Sequence, residues 1–343
     1  MFGKLVLKDG TTFTGLSFGY EDSSAGELVF STGMVGYPES LTDPSYKGQI
    51  LVATYPIIGN YGVPEKKYWE SSQIHISGLL VNQYIDTPSH FESKKTLSEW
   101  LKEEKIPALE VDDTRFLTQL LRDKGAQLAK IVFQRDIVFE DPNKRNLVVS
   151  VSTLKVEQVG SGSKTIVIID CGVKENIKKS LLQRSIKVIT VPWNYDIFEL
   201  KEKFDGVIVS NGPGDPKMAD VTVKIVKKIL AKKIPLLGIC LGNQILALAA
   251  GGDTYKMKFG HRGQNQPCIE QSSKRVYITT QNHGFAIGKI PNGYKSWFIN
   301  ANDQTNEGII HKNLPFMSVQ FHPEASPGPV DTNWIFDKFL SYV

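Results

Sequence analysis

Cys240, His322 and Glu324 offer a nucleophile, a base and an orienting carboxylate. Cys240 closes the apolar run PLLGIC, and the residues that follow it, LGNQILALAAGG, have helical composition. That order predicts a sharp strand-to-helix turn with the thiol at its corner. A free thiol has a pKa of about 8.5 and needs help to ionise at neutral pH. The free N–H groups of a helix start favour negative charge beside them, and a nearby imidazole does the same. Gly238 and Gly242 flank the cysteine where a Cβ would crowd a strained backbone, and a backbone N–H just after it could receive an oxyanion. His322 and Glu324 end an alternating apolar run, PFMSVQFHPE. Residues two apart share one side of an extended segment, but Pro323 between them demands a local turn. A carboxylate so placed would hold the imidazole in one tautomer and stabilise its charged form. A buried structural cysteine and a solvated strand-end histidine are the ordinary fates of these types. The elbow, its glycines and the available base favour a thiol nucleophile.

Periodicity indicates which strands and helices carry these residues. After about residue 164, apolar stretches in KTIVIIDCGVKEN, FDGVIVSNGPGDP and IPLLGICLGNQ alternate with helical pattern, including Val221 to Lys233. Continuous Val/Ile-rich strands separated by helices predict a mostly parallel sheet flanked by helices on both faces, with ligands outside the carboxyl ends of the strands. Gly212, Gly214, Cys240 and His322 all fall at such ends. Residues 1 to 140 read as a separate α/β domain rich in strands: LVLKDGTTFTGLSF with an Asp9-Gly10 turn, then ELVFST, QILVATY and HISGLLVN. TLSEWLKEEK and DTRFLTQLLRDKG are amphipathic. The second has Asp113 as cap, Phe116, Leu117, Leu120 and Leu121 on one face, and Gly125 as stop. Residues 141–163, ending in Gly-Ser-Gly-Ser, read as a linker between 1–140 and 164–343.

Composition fits a two-domain enzyme, with 343 residues, 41% hydrophobic and 22% charged. A net charge of +4 without a basic block gives no support to nucleic-acid binding. No apolar run is long enough to span a membrane, and MFGKLVLKDG reads as a strand entering a turn and not as a targeting segment. Cys171, Cys240 and Cys268 are an odd number without paired metal spacing, which suits a reducing compartment and neither disulfides nor zinc. No metal site is expected. Cys171 and Cys268 read as structural, and His261, His283 and His311 have no clear partner in sequence.

GICLGNQ, FHPE and SNGPGDP (Ser210 to Pro216) together resemble the triad-type, class I, glutamine amidotransferases. TGMVGYPESLTDPSYKGQIL, TYPIIGNYG, the DTR of Asp113 to Arg115 and TQNHGF (Thr280 to Phe285) extend the likeness to the glutaminase part of carbamoyl-phosphate synthetase. The resemblance covers nearly the whole chain. It implies hydrolysis of glutamine to glutamate and ammonia by Cys240, His322 and Glu324. It also implies a glutamine pocket of Ser45, Gly212, Gly214, Leu241, Gln244, Asn282, Gly284 and Phe285, with the N–H groups of Gly214 and Leu241 as oxyanion donors. Physics alone would read Gly-Pro-Gly as a turn, Ser45 as a turn residue, Gln244 as a polar helix position and Asn282 to Phe285 as a strand-end loop.

Ser45 in the N-terminal part implies glutamine binding where domains meet. The rest of that part is implied to dock on a synthetase (large) subunit or domain, fused in one polypeptide or separate, to which ammonia passes by a tunnel. No Walker loop is present, so the ATP, Mg and bicarbonate chemistry belongs to that partner and no cofactor to this chain. Carbamoyl phosphate for pyrimidine or arginine synthesis is the implied product, in the cytoplasm or the mitochondrial matrix. Asn243 stands where many relatives have His. In one urea-cycle branch the cysteine is replaced by serine; Cys240 argues against that state. DPNK (Asp141 to Lys144) and NDQTNEG (Asn302 to Gly308) look closer to eukaryotic forms. The rival readings are a glutaminase of another synthase, a non-catalytic docking module, and another thiol hydrolase.

Overall fold

Thr165–Asp170, the run TIVIID, is buried at every position, as a strand covered on both faces must be. The structure, a computed structural model, describes residues 1–343 and divides into two compact units, Met1–Lys144 and Arg145–Val343.

The first unit is a closed seven-strand barrel in the order β1-β2-β8-β6-β4-β3-β9. Its strands are β1 (Phe2–Leu7), β2 (Thr12–Ser17), β3 (Ser24–Ser31), β4 (Gln49–Ala53), β6 (Gly78–Val81), β8 (Ala108–Glu110) and β9 (Gln127–Val132); β5 (Ile57–Ile58) and β7 (Gln83–Tyr84) pair separately. The expected hairpin at Asp9-Gly10 joins β1 to β2, with Gly10 at φ 90°. Period-two alternation sorts the side chains into two cores. Leu28, Ile50, Val52 and Leu80 pack with Leu117 and Leu121 of α3 (Thr114–Lys124). Val29, Leu51, Leu79 and Val81 pack with Leu41 of α1 (Tyr37–Leu41) and with Leu97 and Trp100 of α2 (Leu97–Glu103). A capping box of Thr96 and Glu99 starts α2, and Asp113 caps α3 as expected. The apolar face of α3 is narrower than its spacing suggests: Phe116 is 47% exposed, its ring centroid 6.1 Å from that of Phe13.

The second unit is built on a ten-stranded sheet, β10-β12-β11-β13-β14-β19-β18-β17-β15-β16. Its elements in chain order are β10 (Glu157–Val159), β11 (Thr165–Asp170), α4 (Glu175–Leu182), β12 (Lys187–Pro192), β13 (Gly206–Val209), α5 (Asp220–Ala231), β14 (Leu236–Ile239), α6 (Leu241–Ala249), β15 (Asp253–Glu270), β16 (Val276–Lys289), β17 (Tyr294–Asn300), β18 (Asn306–His311), β19 (Phe316–Val319) and α7 (Trp334–Leu340). Strands β12, β11, β13, β14 and β19 are mutually parallel. The sheet buries Val167 and Ile169 under α5 and α6 on one face, and Ile166 and Ile168 under α4 and α7 on the other. The stretch 141–163, read as a linker, carries structure of its own. Residues from Arg145 belong to the second unit, Val148–Ser150 form a short 3-10 turn, and β10 pairs antiparallel with β12. As the edge strand of the sheet, β10 takes its hydrogen bonds from β12, a pairing that composition does not reveal.

Candidate functional site

Register decides which residues meet. In the parallel pair β14 and β19, Ile239 lies opposite Val319, so the residues that leave the two strands side by side are Cys240 and Gln320, with His322 two further on. On the other flank Val209 lies opposite Gly238, which delivers Ser210 to Gly214 to the same rim. The antiparallel strand β16 contributes a bridge between Thr280 and His322, with the His322 N–H donating to the Thr280 carbonyl at 2.9 Å. Asn282 follows two residues later. The carboxyl ends of parallel strands thus converge on one place, as an open α/β sheet requires.

Cys240 is the N-cap of α6 and sits at φ 53°, ψ −101°, a conformation that a residue with a Cβ adopts only when its surroundings force it. The force comes from close packing. A Cβ on Gly242 would lie 2.1 Å from the Val209 carbonyl oxygen, and one on Gly238 would lie 2.4 Å from that of Gly242. The Cys240 N–H donates to the Val319 carbonyl at 2.9 Å, tying the elbow to β19. Its Sγ lies 3.6 Å from the Asn282 carbonyl and 3.7 Å from Gln320 Nε2. Leu241 is the first residue of α6, so its N–H has no carbonyl within the helix.

His322 and Glu324 are both about 1% exposed, and His322 Nδ1 stands 2.6 Å from Glu324 Oε1. The turn that Pro323 demands is present: the Ala325 N–H returns to the His322 carbonyl. With Nδ1 committed to the carboxylate, Nε2 is the buried ring nitrogen left without a hydrogen-bond partner, and Cys240 interacts with this ring electrostatically. Burial opposes a charge on His322, yet Glu324 and Cys240 outweigh it and hold the imidazole well above its ordinary 6.5. Burial likewise pushes Glu324 up, but His322 and the Lys174 ammonium, 3.4 Å away, bring it below its ordinary value. Lys174 also donates to the Ala325 carbonyl at 2.6 Å, and Asn176 donates to the Glu324 carbonyl. The arrangement is a thiol facing an imidazole that a carboxylate keeps charged, which is the constellation for nucleophilic acyl chemistry.

The remaining expected residues fall as follows. A Cβ on Gly212 would strike the Cys171 carbonyl at 2.0 Å, and Gly214 adopts φ 86°. Gln244 is buried in the first turn of α6, its Nε2 donating to the Phe285 carbonyl at 2.8 Å. Asn282 and Phe285 are buried on β16, and Gly284 lies against Arg262. Ser45 belongs to the first unit, buried in a 3-10 turn whose Asp43 cap accepts its N–H at 2.9 Å.

Other polar side chains escaped sequence reading because their partners lie on distant strands. His261 is held between Glu307 and Asp303, each at 3.0 Å, and His283 Nδ1 donates to the Phe285 carbonyl at 2.8 Å. Burial opposes protonation of His261, but the two carboxylates raise it overall. Ligating atoms of His261, His283 and Glu307 lie within 4.8 Å of one another, near enough to share an ion. Asn300 Nδ2 already donates to Glu307 there, at 3.3 Å. Cys171 and Cys268 are buried and unbridged, and burial pushes both thiols up.

Residues 167–342 match the family model "Glutamine amidotransferase class-I". The chain belongs to the class-I glutamine amidotransferases. Residues 5–131 of this amidotransferase match the model "Carbamoyl-phosphate synthase small chain, CPSase domain". It is 49% identical over 353 residues to the human protein named "Carbamoyl-phosphate synthase [ammonia], mitochondrial", covering 99% of this chain and 23% of that one. It is 46% identical to "Multifunctional protein pyr1-3" of Dictyostelium discoideum, over 99% of this chain and 17% of that one. With "Multifunctional protein CAD" of Squalus acanthias it shares 49% identity over 98% of this chain and 16% of that one. The amidotransferase therefore spans less than a quarter of the length of each of these relatives. Among solved structures, a glutamine amidotransferase from Thermotoga maritima is similar at 19% identity and a TM-score of 0.41, over 53% of this chain and 84% of that one. No helix is long and apolar enough to cross a membrane.

Proposed function

We propose that this chain hydrolyses L-glutamine to glutamate and ammonia, with Cys240 as nucleophile, and that the ammonia is used by a carbamoyl-phosphate synthetase component. The observation that carries the reading is the Cys240 thiol on its strained elbow, beside an imidazole whose other nitrogen is bound to Glu324. With a proton already on His322 Nε2, Cys240 reacts as the thiolate of a thiolate–imidazolium pair and attacks the side-chain amide carbon of glutamine. The carbonyl oxygen becomes an oxyanion, received by the N–H groups of Leu241 and Gly214; losing one such donor typically costs roughly a hundredfold in rate. When the tetrahedral species collapses, His322 protonates the leaving nitrogen, ammonia departs and a glutamyl thioester remains. Water, deprotonated by the same Nε2, adds to the thioester, and expulsion of the sulfur releases glutamate. Glu324 orients and stabilises the imidazolium throughout.

The partner is supported by the match of residues 5–131 to the synthase small chain and by relatives several times longer than this chain, whose names include carbamoyl-phosphate synthase. Gly212, Gln244, Asn282, Gly284 and Phe285 complete the second unit's part of the pocket on this reading. The relative named for ammonia suggests a second reading, a docking module that does not use glutamine; the Cys240 thiol favours the first. The test is ammonia release from glutamine by the chain, with Cys240→Ala as control, repeated with a carbamoyl-phosphate synthetase component, bicarbonate and ATP. Cysteine-dependent release that rises with the partner is the expected result. No cysteine-dependent release in either condition would leave the docking module.

A further inference from the structure

Gln320 is fully buried one residue beyond β19, and its side-chain amide is clamped from one side. Its Oε1 accepts from Asn243 Nδ2 at 2.9 Å and from Gln244 Nε2 at 3.1 Å. The polarity of this clamp is set outside it. The Phe285 carbonyl can only accept, so the Gln244 group 2.8 Å from it is the NH2, and that same NH2 faces Gln320. Ser318 Oγ, 2.8 Å from Asn243 Oδ1, completes the same sense from the other flank. An oxygen of Gln320 must therefore face the two amides, which turns its Nε2 the other way, to 3.7 Å from Cys240 Sγ.

We infer that Gln320 is a further catalytic residue, donating an N–H to the Cys240 sulfur and stabilising the thiolate, with Asn243, Gln244 and Ser318 as positioning residues that fix its orientation. The inference rests on the reading of Cys240 as nucleophile. A neutral donor suits this position. A hydrogen bond strengthens as its acceptor gains charge, so it favours thiolate over thiol, and it leaves the imidazole free to exchange protons with substrate. The groups about the sulfur are otherwise few. His322 faces it, with Glu324 and Lys174 behind; β16 offers the Asn282 carbonyl, followed by His283, which burial keeps neutral; α6 has no charged residue in its first or last turn. An acceptor carbonyl on one side and an amide donor on the other suit the thiol and the thiolate in turn. Asn243 uses both ends of its amide in this clamp, its Oδ1 accepting from Ser318 and its Nδ2 donating to Gln320.

The test follows the ultraviolet absorbance of the thiolate against pH in the full chain, with Cys240→Ala as the blank, for the unaltered protein and for Gln320→Met, which roughly keeps the volume and removes the donor to Cys240 together with the oxygen that Asn243 and Gln244 hold. The Cys240 contribution should appear about one to two pH units higher in Gln320→Met. At neutral pH kcat should fall roughly ten- to a hundredfold and recover in part as pH rises, with KM for glutamine changed by less than about threefold. An unmoved absorbance profile overturns the inference. Should Gln320→Met fail to fold, nitrogen-labelled glutamine side chains in the unaltered protein decide: one amide proton should shift as the thiolate forms and stay still in Cys240→Ala, and the absence of any such resonance overturns the inference. Full glutaminase activity in Cys240→Ala would instead sink the nucleophile reading. An inactive Cys240→Ala together with an unmoved profile would sink only the role of Gln320.

Discussion

His322 Nδ1 and Glu324 Oε1 lie 2.6 Å apart with neither side chain open to solvent, and the pair is charged over a wide range of pH. His322 is raised, so its contribution to stability is complete below the unfolded value of 6.5 and is lost as pH climbs through the folded one. Glu324 is lowered, so its contribution is present above its unfolded value of 4.5 and is lost as pH falls through the folded one. Between these limits the imidazolium persists, and the thiol beside it has a cationic partner.

Replacing Glu324 by Gln keeps the shape and removes that charge. A buried imidazole without its carboxylate reverts to the neutral form, because burial is the largest influence on it and acts downward. The imidazole titration followed by NMR should move below the ordinary 6.5, and kcat should drop by about a hundredfold or more with a smaller change in KM. An imidazole that still titrates above its ordinary value in Glu324→Gln would show that Cys240 alone raises it.

The strained elbow predicts a steric result. Gly242→Ala places a methyl group 2.1 Å from the Val209 carbonyl, and neither backbone can give way, because the Gly242 N–H is bound to the Ser210 carbonyl and Val209 lies in the β13 ladder. Overpacking of this kind costs about 1–3 kcal/mol, so the second unit should melt roughly 2–10 °C lower. Gly251→Ala separates crowding from strain: the methyl would meet nothing, so its cost, about 1–2 kcal/mol, should come from φ 91° alone.

The contrast between these sites shows what sequence can carry. The elbow was legible because its signals are local: an apolar run, two glycines and a helix beginning within a few residues of Cys240. His322 and Glu324 were legible because they stand only two positions apart. Gln320 and Ser318 lie in the same PFMSVQFHPE run but had no visible role, since their partners, Asn243 and Gln244, are 75 to 77 positions away in sequence and meet them only through the β14–β19 register. The His261–Glu307 pair was hidden for the same reason, its members standing 46 positions apart. In the first unit the strands could be read one by one, whereas closure of the barrel by β1 on β9 depends on pairing across more than a hundred residues.

Cysteine chemistry separates the three thiols. Burial raises Cys171 and Cys268, whereas Cys240 faces the charged imidazole of His322. Brief treatment of the folded chain with a small alkylating reagent near neutral pH should modify Cys240 alone, as read by peptide mass spectrometry, and glutamine should protect it. Cys171→Ala should keep its glutaminase rate within about twofold, with its cost confined to stability. Comparable labelling of Cys268 would mean that the folded state opens along β15 more readily than its packing implies.

Glu307 offers a test of the polar network behind the pocket. Its carboxylate is fully buried, bound to His261 at 3.0 Å and to Asn300 at 3.3 Å. The two partners shift unequally: burial dominates at Glu307 and raises it, while the paired carboxylates win at His261 and raise that too. A raised histidine stabilises the fold below its unfolded value and loses that contribution as pH rises through its folded one, whereas a raised carboxyl works against the fold once ionised. Removing Glu307 therefore relieves one cost and leaves His261 with Asp303 alone. Because His261 keeps Asp303, the loss is that of a buried donor left without its acceptor, so Glu307→Ala should lose about 1–3 kcal/mol in denaturant unfolding. Glu307→Gln, which retains an oxygen for Asn300, should lose less. His283 stands beside this network and holds the Phe285 carbonyl, the same carbonyl that orients Gln244. Glu307→Gln should accordingly raise KM for glutamine several-fold while kcat changes less, and a loss of kcat without a KM effect would place the network behind the thiol and not behind the pocket.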